Sequence, residues 1–471
     1  MKKYLVISLF CLSALSLSAQ YSMIYSSADA LYVEGVQLYE QGQWNASLSK
    51  LTAYTGQTYS EEAVFYRNAN LFELRDKSSK QQLASYIASH PYTPYASEVH
   101  YMQGVLLVEQ KKAKQALKEL EQVNEKELFR SHQAEYLFYR GYAHLEQKEP
   151  QKASLYFGKL KEIQSPYTLQ ARYYYAFCQY TVGNYGKALP EFLAIEHTAQ
   201  YKDIVPYYII QIYYAQQQYD EVYERAEYLL SHQPKNENNP ELHRMLGEIY
   251  YQESQYDKAV EHLSEYEKVA SGQKKQLERN DMYLLGMSYY QLQQYENAIR
   301  YLNKIKKEED ALTENTCYHL GNAYQKTGQP EQAKMAYSTV LRIGKDETLR
   351  EEAMYNYALT TYQSSSALGE SVNAFTEFLN TYPQSRYREQ VYALLCDVFM
   401  SSKNYAAALE SAEKISNPSS QMRGTMQYLR YQLGSDAYMQ GQYKEAEKWL
   451  TEVISNPEPS SSSYVTESYY L

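Results

Sequence analysis

The sequence predicts an all-α protein, an α-solenoid of about twelve helical hairpins packed one after another. Three observations predict it. A small residue recurs every 34 to 39 residues; a second small position follows twelve residues later in ten of the twelve copies; and an aromatic ring precedes the first by three residues in ten copies. Self-similarity at such a period marks stacked units, none of which buries its apolar face alone.

The first small position falls near the middle of each predicted first helix: Gly35, Ala69, Gly104, Gly141, Ala176, Ile210, Gly247, Gly286, Gly321, Ala358, Cys396 and Gly434. The second holds Ser47, Ala116, Ala153, Ala188, Val222, Ala259, Ala298, Ala333, Ala408 and Ala446. Small residues on both helices let their backbones approach, and large neighbours three or four positions away fill the surrounding space. Glycine inside a helix costs about 1 kcal/mol relative to alanine, so seven glycines at one register require a packing reason. Between the two positions lie a turn and then an aromatic or proline: Trp44, Pro150, Tyr185, Tyr219, Tyr256, Tyr295, Pro330, Tyr405 and Tyr443. The second and tenth copies break the twelve-residue spacing, the tenth through a longer turn containing Ser364-Ser365-Ser366.

Leu285-Gly286-Met287-Ser288-Tyr289-Tyr290 followed by Tyr295-Glu296-Asn297-Ala298 resembles the tetratricopeptide repeat (TPR). So does Leu320-Gly321-Asn322-Ala323-Tyr324 with Gly328-Gln329-Pro330-Glu331-Gln332-Ala333. His90-Pro91-Tyr92-Thr93-Pro94-Tyr95-Ala96 and Tyr382-Pro383-Gln384-Ser385-Arg386-Tyr387 resemble the linker of a bacterial envelope subgroup. That subgroup includes the periplasmic Tol-Pal accessory protein and the outer-membrane assembly TPR lipoprotein. The resemblance covers roughly residues 28–457. It implies a right-handed solenoid whose first helices line a concave groove, the usual docking surface of the family.

The first twenty residues read as a secretory signal peptide: Lys2-Lys3, the apolar stretch Tyr4 to Leu17, and Ser18-Ala19 before a cut near Gln20. Bulky Phe10 before Cys11 disfavours a lipoprotein acceptor. No other apolar run approaches the ~18 residues of a membrane span. The predicted organisation is therefore 1–20 signal peptide, 21–457 TPR solenoid, and 458–471 the start of a further repeat in a truncated or partner-covered array. The mature chain is expected in the periplasm or at the outer membrane, held there through a partner.

Composition narrows the function. Apolar residues make up 44% and charged residues 22%, which suits a packed chain. The net charge of −10, with no basic stripe, argues against nucleic acid. Cys178, Cys317 and Cys396 show neither a disulfide framework nor zinc spacing, and fall on positions expected to be buried. No two of the nine histidines have the close helical spacing of metal ligands, and no phosphate loop or nucleophile elbow is present. The sequence therefore predicts a non-enzymatic protein with no metal and no cofactor.

Tyrosine carries the candidate binding surface. Three residues before the anchors stand Tyr32, Tyr66, Tyr101, Tyr173, Tyr207, Tyr283, Tyr318, Tyr355 and Tyr431, with Phe138 in the same row. One turn beyond the anchors stand Tyr39, Tyr180, Tyr214, Tyr251, Tyr290, Tyr362 and Tyr438, on the same helical stripe. Two readings stay open: the rings pack between helices, or they pave a groove offering large contact area at low entropic cost. Asp29, Glu98, Glu135, Glu241 and Glu352, just before the first row, either complement helix dipoles or form an acidic rim for basic partner segments. Arg67, Asn70, Arg244 and Asn322 are too scattered to form a carboxylate-binding cluster. The reading favoured is a protein- or peptide-binding scaffold of the cell envelope. The alternatives are a glycan or peptidoglycan binder, since tyrosine faces also stack on sugars, and the targeting arm of a longer enzyme.

Overall fold

The computed structural model describes residues 29–272, 277–305, 308–364, 368–458 and 462–471. The signal peptide assigned to 1–20, the first residues of the predicted solenoid, and Ser365-Ser366 of the long turn lie outside the described residues. Among the described residues every regular element is helical: 25 α-helices and one 3-10 turn. The fold is an α-solenoid of hairpins. Twelve pairs run from Ala30–Glu40 with Trp44–Ala53 to Ser420–Met439 with Tyr443–Ser455, and Ser462–Tyr470 follows. The chain divides into two compact units, residues 1–225 and 226–471.

The register read from the sequence is the register of the packing. All twelve anchors are buried, and so are all ten second positions. In the first unit, a Cβ added to Gly35 or Gly104 would come within 2.6 and 2.5 Å of Leu51 and Leu120. In the second unit, Gly247, Gly286 and Gly434 stand in the same relation to Leu263, Leu302 and Leu450, at 2.5, 2.6 and 2.8 Å. Each blocking residue lies sixteen positions after its glycine, on the second helix of the hairpin. The glycines are there because a large side chain of the partner helix occupies the Cβ position, so their helix-propensity cost is offset by interior packing.

The turn of the hairpin has its own rule. Seven residues after the anchor the backbone enters the left-handed region: Gly42 (φ 73°), Lys111 (58°), Lys148 (60°) and Gly183 (77°) in the first unit, Ser254 (60°), Gln293 (60°), Gly328 (71°), Lys403 (58°) and Gly441 (74°) in the second. The aromatic or proline slot of the sequence is the first residue of the second helix, as at Trp44, Pro150, Tyr185, Tyr295, Pro330, Tyr405 and Tyr443. Proline suits that position because its missing N–H would have had no intrahelical partner.

The linker to the next repeat is held by the side chain seven residues before the anchor. In the first unit the Asn124 amide donates to Ser97 Oγ at 3.1 Å. In the second, the amides of Lys345 and Asp346 donate to Glu314 at 2.8 and 3.2 Å, and that of Ser416 to Glu389 at 3.2 Å. The Glu458 amide donates to Gln427 Oε1 at 2.9 Å, while Gln427 Nε2 donates to the Val453 carbonyl at 2.9 Å. Arg279 grips Asp310 through two nitrogens at 2.8 and 2.9 Å. Arg279 thus holds a linker carboxylate, while the other groups satisfy linker backbone N–H and C=O groups.

Candidate functional site

The structure places every tyrosine of the first row against neighbouring protein. Tyr66, Tyr101, Tyr207 and Tyr355 are buried; Tyr32, Tyr173, Tyr283, Tyr318 and Tyr431 are half-buried. Several stack on an aromatic that follows in the chain, in the next linker or, for Tyr431, in the last helix. Tyr32 stacks on Tyr59 at 4.3 Å, Tyr173 on Tyr201 at 4.6 Å, Tyr355 on Tyr387 at 4.2 Å and Tyr431 on Tyr464 at 5.3 Å. Phe138 stacks likewise on Tyr167 at 5.0 Å. Their hydroxyls also reach the next first helix: Tyr283 donates to Asn315 at 2.9 Å, Tyr318 to Glu352 at 2.6 Å and Tyr431 to Glu467 at 2.5 Å. The acidic residues before the row are acceptors or ion-pair partners. Asp29 accepts from Tyr54 at 2.7 Å, Glu241 pairs with Arg244 at 2.6 Å, and Glu98 accepts from His132 at 2.6 Å. Asn70 is fully buried and donates to Ser47 Oγ and the Tyr66 carbonyl, both at 2.8 Å.

One member of the row, Tyr66, meets other side chains in a cleft of about 500 Å³ in the first unit. Three first helices build it. Ala30–Glu40 brings Tyr39 and Glu40 at its last turn, and the left-handed Gly42 then directs the chain into Trp44. Ser60–Glu73 brings Tyr66 and Glu73, and the start of Arg130–Glu146 with the preceding Phe129 supplies Ser131, His132 and Glu135. Tyr39 meets Tyr66 edge to face, centroids 5.3 Å apart at 68°, and Tyr66 lies nearly parallel to Phe129 at 6.3 Å.

His132 organises the inner wall. It is buried, stacked on Tyr101 at 5.0 Å, with Nδ1 2.6 Å from Glu98 and Nε2 3.4 Å from Glu73. Burial works against the charged ring, yet the hydrogen bonds and charges of Glu73 and Glu98 outweigh it and lift its pKa to about 9. Burial also raises the Glu135 carboxyl above its ordinary value, against the pull of Arg75 at 3.8 Å. The hydroxyl of Tyr39 is buried and has no hydrogen-bond partner. Arg130 stands exposed at the rim.

The arrangement suits binding by ring faces and charge. Of its residues the first tyrosine row contributed Tyr66, and Tyr39 and Trp44 belong to the other two patterns. Glu40, Glu73, Phe129, Arg130 and the role of His132 had not been singled out. The one sequence signal was the 34-residue separation of Glu98 and His132, equal to a repeat length.

Other chemistry-bearing groups are enclosed. Cys178, Cys317 and Cys396 are buried, and burial pushes the thiols of Cys178 and Cys396 up to about 12 and about 11. His243 and His262 face each other through Nδ1 at 3.0 Å, and burial lowers both, His262 to about 4. Among the described residues no group of three or more His, Cys, Asp or Glu is placed to hold a metal ion, and no helix is long and apolar enough to cross a membrane.

Three segments match family models. Residues 101–167 and 314–345 match tetratricopeptide-repeat models, and 215–305 match the model of anaphase-promoting complex (cyclosome) subunit 3. The chain carries tetratricopeptide repeats. This TPR chain is similar to the crystal structure of the APC/C hetero-tetramer Cut9-Hcn1, with 13% identity over 96% of this chain and 98% of that one and a TM-score of 0.26. It is also similar to the C-terminal part of a TPR repeat-containing protein from Cytophaga hutchinsonii, with 14% identity over 55% and 99% and a TM-score of 0.39. No curated protein matches the TPR chain.

Proposed function

We propose that this TPR chain is a non-catalytic interaction scaffold, exported to the cell envelope, that holds a protein partner against the first-helix face of its amino-terminal unit. The observation that carries this reading is the cleft between Tyr39, Trp44 and Tyr66. It joins three ring-bearing helices, is large enough for a partner side chain, and leaves a buried hydroxyl unpaired. Aromatic anchors of this kind dominate binding energy at protein interfaces. Within the first row the rings outside this cleft stack on, or donate to, their own neighbours, as Tyr173 does on Tyr201 and Tyr318 to Glu352. Export is supported by Lys2-Lys3, the apolar stretch from Tyr4 to Leu17 and the small pair Ser18-Ala19.

The test is crosslinked capture of envelope proteins on the mature chain, compared with Trp44→Ser and Glu40→Lys, both on the exposed lip of the cleft. The expected result is a partner retained by the wild type and lost from both variants while helicity is unchanged. Capture by the variants equal to the wild type removes the cleft from the reading. Recovery of the chain uncleaved and in the cytoplasm removes the envelope from it.

A further inference from the structure

We propose that the cleft receives the side chain of a lysine or arginine presented by the docked partner; this specifies the partner chemistry of the scaffold reading and rests on it. Tyr39 and Tyr66, both buried, pack edge to face at 68° and 5.3 Å in the lining of the cleft, and Trp44, 36% exposed, lines it with an accessible ring. Ring faces carry the negative end of the aromatic quadrupole and attract ammonium and guanidinium groups, most strongly where water is excluded. Glu40 and Glu73 add carboxylates to the lining.

The polar groups choose among occupants. Tyr39 is 8% exposed, lines the cleft, and its hydroxyl oxygen has no hydrogen-bond partner. That hydroxyl is itself shut off from solvent, so the choice of occupant rests on the charged groups of the lining. An anionic occupant would meet three lining carboxylates, Glu40 at the rim, Glu73 beside His132 at 3.4 Å and Glu135 beside Arg75 at 3.8 Å, with one unengaged cation, Arg130. The other cation, His132, is already held at 2.6 Å by Glu98. An apolar occupant would strip water from Glu40 and Glu73 and return no hydrogen bond. A cation on a long aliphatic stem satisfies the exposed indole and the rim carboxylate together.

The chain has two tryptophans, so Trp449→Phe leaves Trp44 as the sole indole reporter, inside the cleft. The full chain carrying that change is titrated to millimolar concentration with the capped pentapeptides GGKGG, GGRGG, GGQGG and GGEGG while Trp44 fluorescence is followed. The expected result is a saturable change with the lysine and arginine peptides alone, weakened at least tenfold by Glu73→Gln and by Glu40→Gln. Glu40 lies on the exposed rim, so its replacement keeps the test valid even if Glu73→Gln disturbs His132. An equal response to GGQGG, a response that survives both substitutions, or no response to either cationic peptide overturns the proposal. A chain that captures its partner but binds no cationic peptide loses the cation site and keeps the scaffold reading. One that binds the peptides but captures nothing does the reverse.

Discussion

Gly247 faces Leu263 so closely that a single added methyl would lie 2.5 Å from the leucine Cγ and 3.3 Å from its backbone nitrogen. The side chain alone cannot relieve that clash, because the amide belongs to the second helix itself. Gly247→Ala should therefore destabilise the second unit by about 1–3 kcal/mol, despite the roughly 1 kcal/mol that alanine gains in helix propensity. Gly186→Ala is the contrast, since nothing lies within 4 Å of the added atom. Thermal melts of the two variants should move in opposite directions.

Tyr355 lies on Tyr387 with planes 7° apart. Tyr355→Leu keeps an apolar group but removes the stacked ring, and should cost about 1–2 kcal/mol beyond experimental scatter. Urea denaturation checks the loss, and hydrogen exchange should show the linker around Tyr387 loosened first.

His132 makes the first unit pH-sensitive. Its folded pKa of about 9 lies above the 6.5 of the unfolded chain. The charged ring thus contributes stability that is complete below pH 6.5 and disappears as pH rises through 9, by about 3 kcal/mol across the interval. Denaturant midpoints measured from pH 6 to 10 should fall in the wild type and fall less in His132→Gln. Parallel profiles would exclude the histidine as the source.

Lys148 sits at φ 60°, where a Cβ crowds the preceding carbonyl. It is exposed, so the side chain contributes little that would be missed. Lys148→Gly should raise stability by up to about 1 kcal/mol, read as an increased melting temperature.

The hairpin register was legible because close approach of two backbones admits few residue types, so Gly and Ala recur where the helices touch. The left-handed turn position was not, because Gly42, Lys148, Ser254 and Gln293 share a backbone conformation and no side-chain chemistry. The linker clamps escaped for the same reason: Ser97, Arg279, Glu314 and Gln427 do one job with four chemistries. The tyrosine row was legible as a row, but its stacking partners are set by distances between repeats, which no single helix encodes. The cleft is further from the sequence still, since it joins the first, second and fourth repeats, and Tyr39, Tyr66 and His132 become neighbours only after stacking.

The stacked rings also bear on how such a chain can grow or shrink by recombination. Tyr32, Tyr173 and Tyr355 are each carried by one repeat, while the aromatic platforms Tyr59, Tyr201 and Tyr387 are carried by the linker to the next. A duplication or loss of coding sequence cut at matching registers between repeats that carry the pair joins a ring to a platform at the new junction. A cut at any other register strands an unstacked ring beside a linker with nothing to cover it. Where the pair is present, copy number is thus free to drift in whole units, and a fractional step is penalised.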